Sequence, residues 1–116
     1  AVIDALPKPK EPVLDVDIQR CEFTGTRDGR PATLIYDCIS SPNMEWMIDG
    51  GAVGTGTPPA IAAAWIADGR IKARGVVPPE LAVDPLPFFR ELGAKGRTIE
   101  VWERDGKRER LLSKAA

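Results

Sequence analysis

The sequence predicts an α+β domain: a mostly antiparallel or mixed β-sheet covered by two helices. Three observations predict it. Leu14, Val16 and Ile18 alternate with Asp15, Asp17 and Gln19, the period of a strand. An alanine-rich run, Ala60 to Ala67, follows Thr57-Pro58. Two Asp-Gly pairs, Asp28-Gly29 and Asp105-Gly106, mark hairpin turns.

Taken in order, residues 1–12 (AVIDALPKPKEP) read as the last turn of a helix and then a stiff linker. Val2, Ile3 and Leu6 share a helical face, and Pro7, Pro9 and Pro12 favour extended backbone. The domain proper is expected over 13–116. Residues 13–40 predict a long hairpin whose second strand, with Leu34, Ile35, Tyr36, Cys38 and Ile39, is the more buried. The apolar residues change phase at Cys21 and Phe23, which predicts a β-bulge near Arg20. A short third strand is expected over Met44 to Ile48.

The glycine-rich stretch Gly50 to Gly56 then predicts a loop. Thr57 suits the N-cap of the helix that follows, Pro58 its first position and Gly69 its end. Arg70 to Val77 is expected to be extended, with Arg70, Lys72 and Arg74 on one basic face. Pro78-Pro79-Glu80 starts a turn. Asp84-Pro85 opens a second helix with Phe88, Phe89 and Leu92 on its apolar face, ended by Gly93 or Gly96. A strand over Thr98 to Glu103, the Asp105-Gly106 turn and a return strand over Lys107 to Leu112 complete the chain.

Composition narrows the function. The 116 residues are 43% hydrophobic and 28% charged with a net charge of −1, the profile of an ordinary globular domain. No basic stripe offers itself to nucleic acid, and no apolar run approaches the roughly 20 residues a membrane span needs. A cytoplasmic location is expected. There is no histidine, so Ser-His and Cys-His nucleophile pairs and His-based zinc sites are excluded. Cys21 and Cys38 lie on paired strands and are expected to be reduced. Trp46, Trp65 and Trp102 read as core or interface anchors.

The glycine cluster is no dinucleotide fingerprint, because Gly54-Thr55-Gly56 continues as Thr57-Pro58-Pro59 and lacks the third glycine. It has two remaining readings. The glycines turn and Thr57 caps, or the helix start at Thr57 presents backbone N–H groups to an anion such as a substrate carboxylate.

The ordered run of motifs carries a resemblance. Thr55-Gly56-Thr57-Pro58, then the alanine-rich helix, Asp68-Gly69-Arg70-Ile71, Arg74-Gly75-Val76-Val77-Pro78-Pro79-Glu80 and Asp84-Pro85 with Phe88 and Leu92 resemble the C-terminal domain of saccharopine-dehydrogenase-like and lysine 6-dehydrogenase-like enzymes. The likeness covers roughly residues 7–104, and four motifs in order are more specific than any one. It departs at Glu45 to Val53, where Gly50-Gly51 replaces a polar segment, and this leaves the substrate open.

The resemblance implies a fold similar to the C-terminal domain of glyceraldehyde-3-phosphate dehydrogenase. It implies an upstream Rossmann domain that binds NAD or NADP, with no tight cofactor binding by this chain itself. It implies an amino-acid substrate contacted by Thr55, Gly56, Thr57, Pro58 and Arg74, and a homodimer paired through the sheet. The alternative is a homodimerising interaction module without catalysis; a weaker one is a stand-alone anion-binding protein using the helix start at Thr57.

Overall fold

The computed structural model describes Glu11 and residues 15–114, so the expected linker over 1–12 and the strand start at Val13 and Leu14 lie outside the described residues, Glu11 excepted. Among the described residues, four strands and three helices follow in the order β1 (Asp17–Arg27), β2 (Arg30–Ser40), α1 (Gly50–Ala67), α2 (Pro79–Ala82), α3 (Pro85–Gly96), β3 (Ile99–Arg104) and β4 (Glu109–Leu111). The sheet has the order β1-β2-β3-β4 and every pairing is antiparallel. The fold is α+β, as the strand and helix periods require.

The β1–β2 hairpin turns at Asp28 and Gly29, both with positive φ (54° and 72°), the twist a two-residue turn needs. Its register runs without interruption from Asp17↔Ser40 to Arg27↔Arg30, so the expected bulge near Arg20 is absent. The change of apolar phase has another cause. β1 is a sheet edge, exposed along nearly all its length, so no single face of it is obliged to be apolar. Phe23 meets Tyr36 edge-on, with ring centroids 6.2 Å apart.

Pairing assigns the two faces of the sheet. Cys38 and Ser40 share a face with Val101 and Ile99, and the helices cover this one. The core gathers Val53, Ile61 and Trp65 of α1, Leu92 of α3, Ile99, Val101 and Leu112. The opposite face carries Ile18, Arg20, Ile35, Asp37, Ile39, Trp102 and Arg104, none of which belongs to that core. Among the described residues, helices cover one side of the sheet.

α1 departs most from expectation. It begins at Gly50, not Thr57, so the glycine cluster is helical and Thr57 is buried within the helix. Asp49 is the N-cap, its Oδ1 accepting from the Ala52 N–H at 2.6 Å. Glycine is required here for approach rather than for turning. A Cβ at Gly50 would overlap the Ser40 carbonyl oxygen, and one at Gly54 would come within 2.6 Å of Ser40 Oγ. These glycines, one turn apart, let the helix lie directly on the end of β2. Pro58 and Pro59 sit inside the helix and leave the Gly54 and Thr55 carbonyls without their usual helical donors.

Two expected extended segments are not strands. Residues 44–47 form turns closed by an isolated bridge between Asn43 and Ile48, because Pro42 and the positive φ of Met47 interrupt any ladder. Residues 71–74 pair with no strand, and Gly75 with φ of 82° turns the chain toward α2. α3 starts at Pro85 as expected, although Asp84 makes no capping side-chain hydrogen bond. It ends at Gly96, where the Ile99 side chain occupies the place of a Cβ, and Arg97 adopts the positive φ of 59°.

Candidate functional site

The register of α1 against α3 shapes the site. Val53, Thr57, Ile61 and Trp65 recur every fourth residue and form the buried stripe of α1. On one flank of this stripe a groove of about 380 Å³ opens between α1, α3 and the 44–48 turn. Gly56, Thr57 and Ala60 line it from α1, Trp46 from the turn, and Glu91 and Lys95 from α3. The volume falls in the range of small-molecule sites. Its lining is mainly apolar, and Gly56 keeps it open, since nothing lies within 4 Å of where a Cβ would stand.

Glu91 and Lys95 are one helical turn apart and so face the groove together. Glu91 also has the Arg70 guanidinium 3.9 Å from its Oε2, so an acid with one cationic neighbour and a lysine stand beside an apolar channel, a pairing that complements a zwitterion with an aliphatic body. Trp46 is held by neighbours of its own: its backbone N–H donates to Asn43 Oδ1 at 3.1 Å, and the Arg97 guanidinium lies 5.9 Å from its ring centroid. Arg97 in turn pairs with Glu45. The groove wall is therefore fastened to the C-terminal end of α3.

The other flank of α1 carries a groove of about 410 Å³ lined by Pro58, Pro59, Val83, Phe88 and Phe89 among others. Glu80 is the ionisable residue on its rim, so it offers little to orient a ligand.

The residues expected to contact substrate are dispersed. Gly56 and Thr57 line the first groove and Pro58 the second, while Thr55 and Arg74 are exposed and line neither. Arg70, expected on a basic strand face, pairs with Asp68 at 2.7 Å, lies over the Trp65 ring at 4.5 Å and reaches Glu91 Oε2 of the first groove at 3.9 Å.

The helix start does not serve an anion. The Gly50 N–H donates to Asp15 Oδ1 at 2.8 Å and the Ala52 N–H to Asp49 Oδ1, so two carboxylates of the chain already hold the positive end of α1. The anion-binding reading at Thr57 is overturned, because Thr57 lies inside the helix. Sequence reasoning missed Trp46, Glu91 and Lys95. The spacing of Glu91 and Lys95 on one helical face was available, but nothing local tied it to Gly56 and Thr57.

No family model, curated protein or solved structure matches the chain.

Tyr36 and Cys38 are held more firmly in their neutral forms, whereas Asp68 and Asp105 are lowered, Asp68 by its bond to Arg70 and Asp105 by the backbone N–H groups of Lys107 and Arg108. The hydrogen bond from Tyr36 Oη to Glu103 Oε2, 2.7 Å long, raises the phenol above its ordinary range, and burial adds to the effect. Burial also pushes the Cys38 thiol up, with Asp17 adding repulsion, which disfavours the nucleophilic thiolate. Both cysteines are free. Among the described residues no cluster of three or more His, Cys, Asp or Glu could hold a metal, and no helix is long and apolar enough to cross a membrane.

Proposed function

We propose that this chain is the substrate-facing and dimerisation domain of a saccharopine-dehydrogenase-like oxidoreductase acting on an amino-acid C–N bond. The observation that carries the reading is the groove in which Gly56 and Thr57, from the motif resembling that family, meet Glu91 and Lys95. Lys95 would take the substrate carboxylate and Glu91 the ammonium, with the aliphatic part against Ala60 and Trp46. A nicotinamide bound to a separate Rossmann domain would supply or accept the hydride. The role of this chain is to hold the amino acid in one orientation and keep water from the reacting carbon.

The four-stranded sheet, with one face that no described helix covers, also favours pairing between copies, and so keeps a second reading in play: a homodimerising module that binds no small molecule. Thermal unfolding separates them. A ligand at tenfold its Kd adds about 1.4 kcal/mol of stability and raises the melting temperature by several degrees. Lysine or a dicarboxylic amino acid is expected to give this rise in the native chain and not in Lys95→Ala. A dimer that responds to no amino acid would favour the module. Robust oxidation of NADH by this chain alone would refute the oxidoreductase-domain reading.

A further inference from the structure

The free edge of β1 is the least expected surface of the molecule. It is 11 residues long, has no proline and no bulge, and its outer side pairs with no described residue. Exposed edges of this length are normally blunted, because their unpaired N–H and C=O groups template another strand. We infer that β1 pairs antiparallel with β1 of a second copy, about a two-fold axis through Cys21, joining two sheets into one of eight strands. This rests on the pairing half of the reading above and specifies which surface does it.

The register follows from hydrogen-bond direction and charge. The two-residue turn makes Arg27↔Arg30 a hydrogen-bonded pair, so odd-numbered residues of β1 point their backbone groups at β2. Even-numbered residues point theirs outward. Outward groups must oppose outward groups, so a two-fold axis has to pass through a residue rather than between two. An axis through Arg20 sets Arg20 against itself, and one through Glu22 sets Glu22 against itself.

The axis through Cys21 places Arg20 opposite Glu22 of the second copy, twice by symmetry, both residues on the face without helices. Arg20 already gives two of its N–H groups to Asp37, at 2.6 and 2.9 Å, which fixes its guanidinium and leaves further donors for a second carboxylate. Glu22 makes no ion pair with any described residue. Axes through Gln19 or Phe23 oppose no opposite charges within the strands. The helix layers of both copies fall on the same side of the joined sheet, because residues that oppose each other share parity.

Cys21 then faces its own copy in a non-hydrogen-bonded pair, where Cα atoms lie about 4.5 Å apart, within disulfide range. Cys21 is exposed. This makes the register readable. In a Cys38→Ser background, with Cys21 the one thiol left, light scattering in reductant should report a mass of twice the 12.6 kDa chain. Diamide, a diazene that accepts two electrons and two protons from a pair of thiols, should then convert most of the protein to a covalent dimer. Glu22→Arg, which sets arginine against Arg20, and Thr24→Pro, which removes an outward N–H without touching the β1–β2 ladder, should each give a folded monomer by circular dichroism and scattering. A dimer that persists in both variants, or one that diamide fails to lock through Cys21, overturns the inference while leaving pairing through another surface. A monomer at every concentration overturns the inference and the pairing half of the functional reading, and a response to amino acids would still test the groove.

Discussion

Arg20 and Asp37 stand opposite each other on β1 and β2, and their side chains meet in a two-pronged ion pair at 2.6 and 2.9 Å. The carboxylate is 2% exposed although it lies on the sheet face that no described helix covers. Arg104 from β3 closes over it from the other side, and its guanidinium lies 5.6 Å from the Trp102 ring centroid. Two arginines thus shield one acid at the centre of a face that no described helix covers.

The two partners should respond unequally to removal. Asp37→Ala leaves two guanidiniums facing each other and is expected to cost about 3 kcal/mol in urea unfolding. Arg20→Ala is expected to cost about 1 kcal/mol or less, because Arg20 is 58% exposed and Arg104 still pairs with the acid. Equal losses would contradict the picture of a shared, buried carboxylate.

Glycines in the same helix should give opposite signs. Gly50→Ala forces α1 away from the Ser40 carbonyl and is expected to destabilise by about 1–3 kcal/mol, the range for overpacking. Gly56→Ala meets open space and should stabilise the helix by about 0.5–1 kcal/mol. Its methyl would narrow the groove, so the amino-acid response should weaken as the melting temperature rises. Loss of stability at Gly56 would count against a helix that starts at Gly50.

Trp65 separates shape from hydrogen bonding. It is 5% exposed and meets Phe88 edge-on at 5.5 Å, yet its indole N–H has no hydrogen-bond partner among the described residues. Trp65→Ala should cost about 3–5 kcal/mol through the cavity it leaves. Trp65→Phe should cost under about 1.5 kcal/mol, because it removes an unpaired polar group along with some contact area. Chemical unfolding of the two variants checks the difference.

Tyr36 sets a pH dependence. Its phenol is raised from 10.0 by the bond to Glu103, so the folded state holds the proton more tightly than the unfolded chain. That stability is fully present below pH 10 and is lost as pH rises through the folded value. Cys38, raised from 9.0 by burial, loses its contribution over a window that starts lower. Tyr36→Phe should flatten the decline above pH 10, and Cys38→Ser the part nearer pH 9. Unfolding midpoints measured from pH 8 to 11 would show both, and an unchanged slope in Tyr36→Phe would contradict the assignment.

Local signals carried the hairpin, α3, and the β3 and β4 strands, because a period of two, a proline after a cap residue and Asp-Gly turns act within a few residues. They failed at α1. Thr57-Pro58 satisfied every local rule for a helix start, but Ser40 and Asp15, far away in sequence, make Gly50 and Gly54 the contact that decides where the helix begins. The bulge expected at Arg20 failed for a related reason: the phase of apolar residues reports a face only where one face is buried, and β1 buries neither.

By itself, then, the sequence determined an α+β domain with two Asp-Gly hairpins, no imidazole chemistry and no transmembrane helix among its described elements, since each follows from composition or from neighbours along the chain. Tertiary structure alone decided that Gly56 and Thr57 meet Glu91 and Lys95, that Arg70 is shared among Asp68, Trp65 and Glu91, and that no described residue covers one sheet face or pairs with one strand edge. Such features depend on which helix lies on which strand, and close packing between residues dozens of positions apart leaves no periodic trace in the chain.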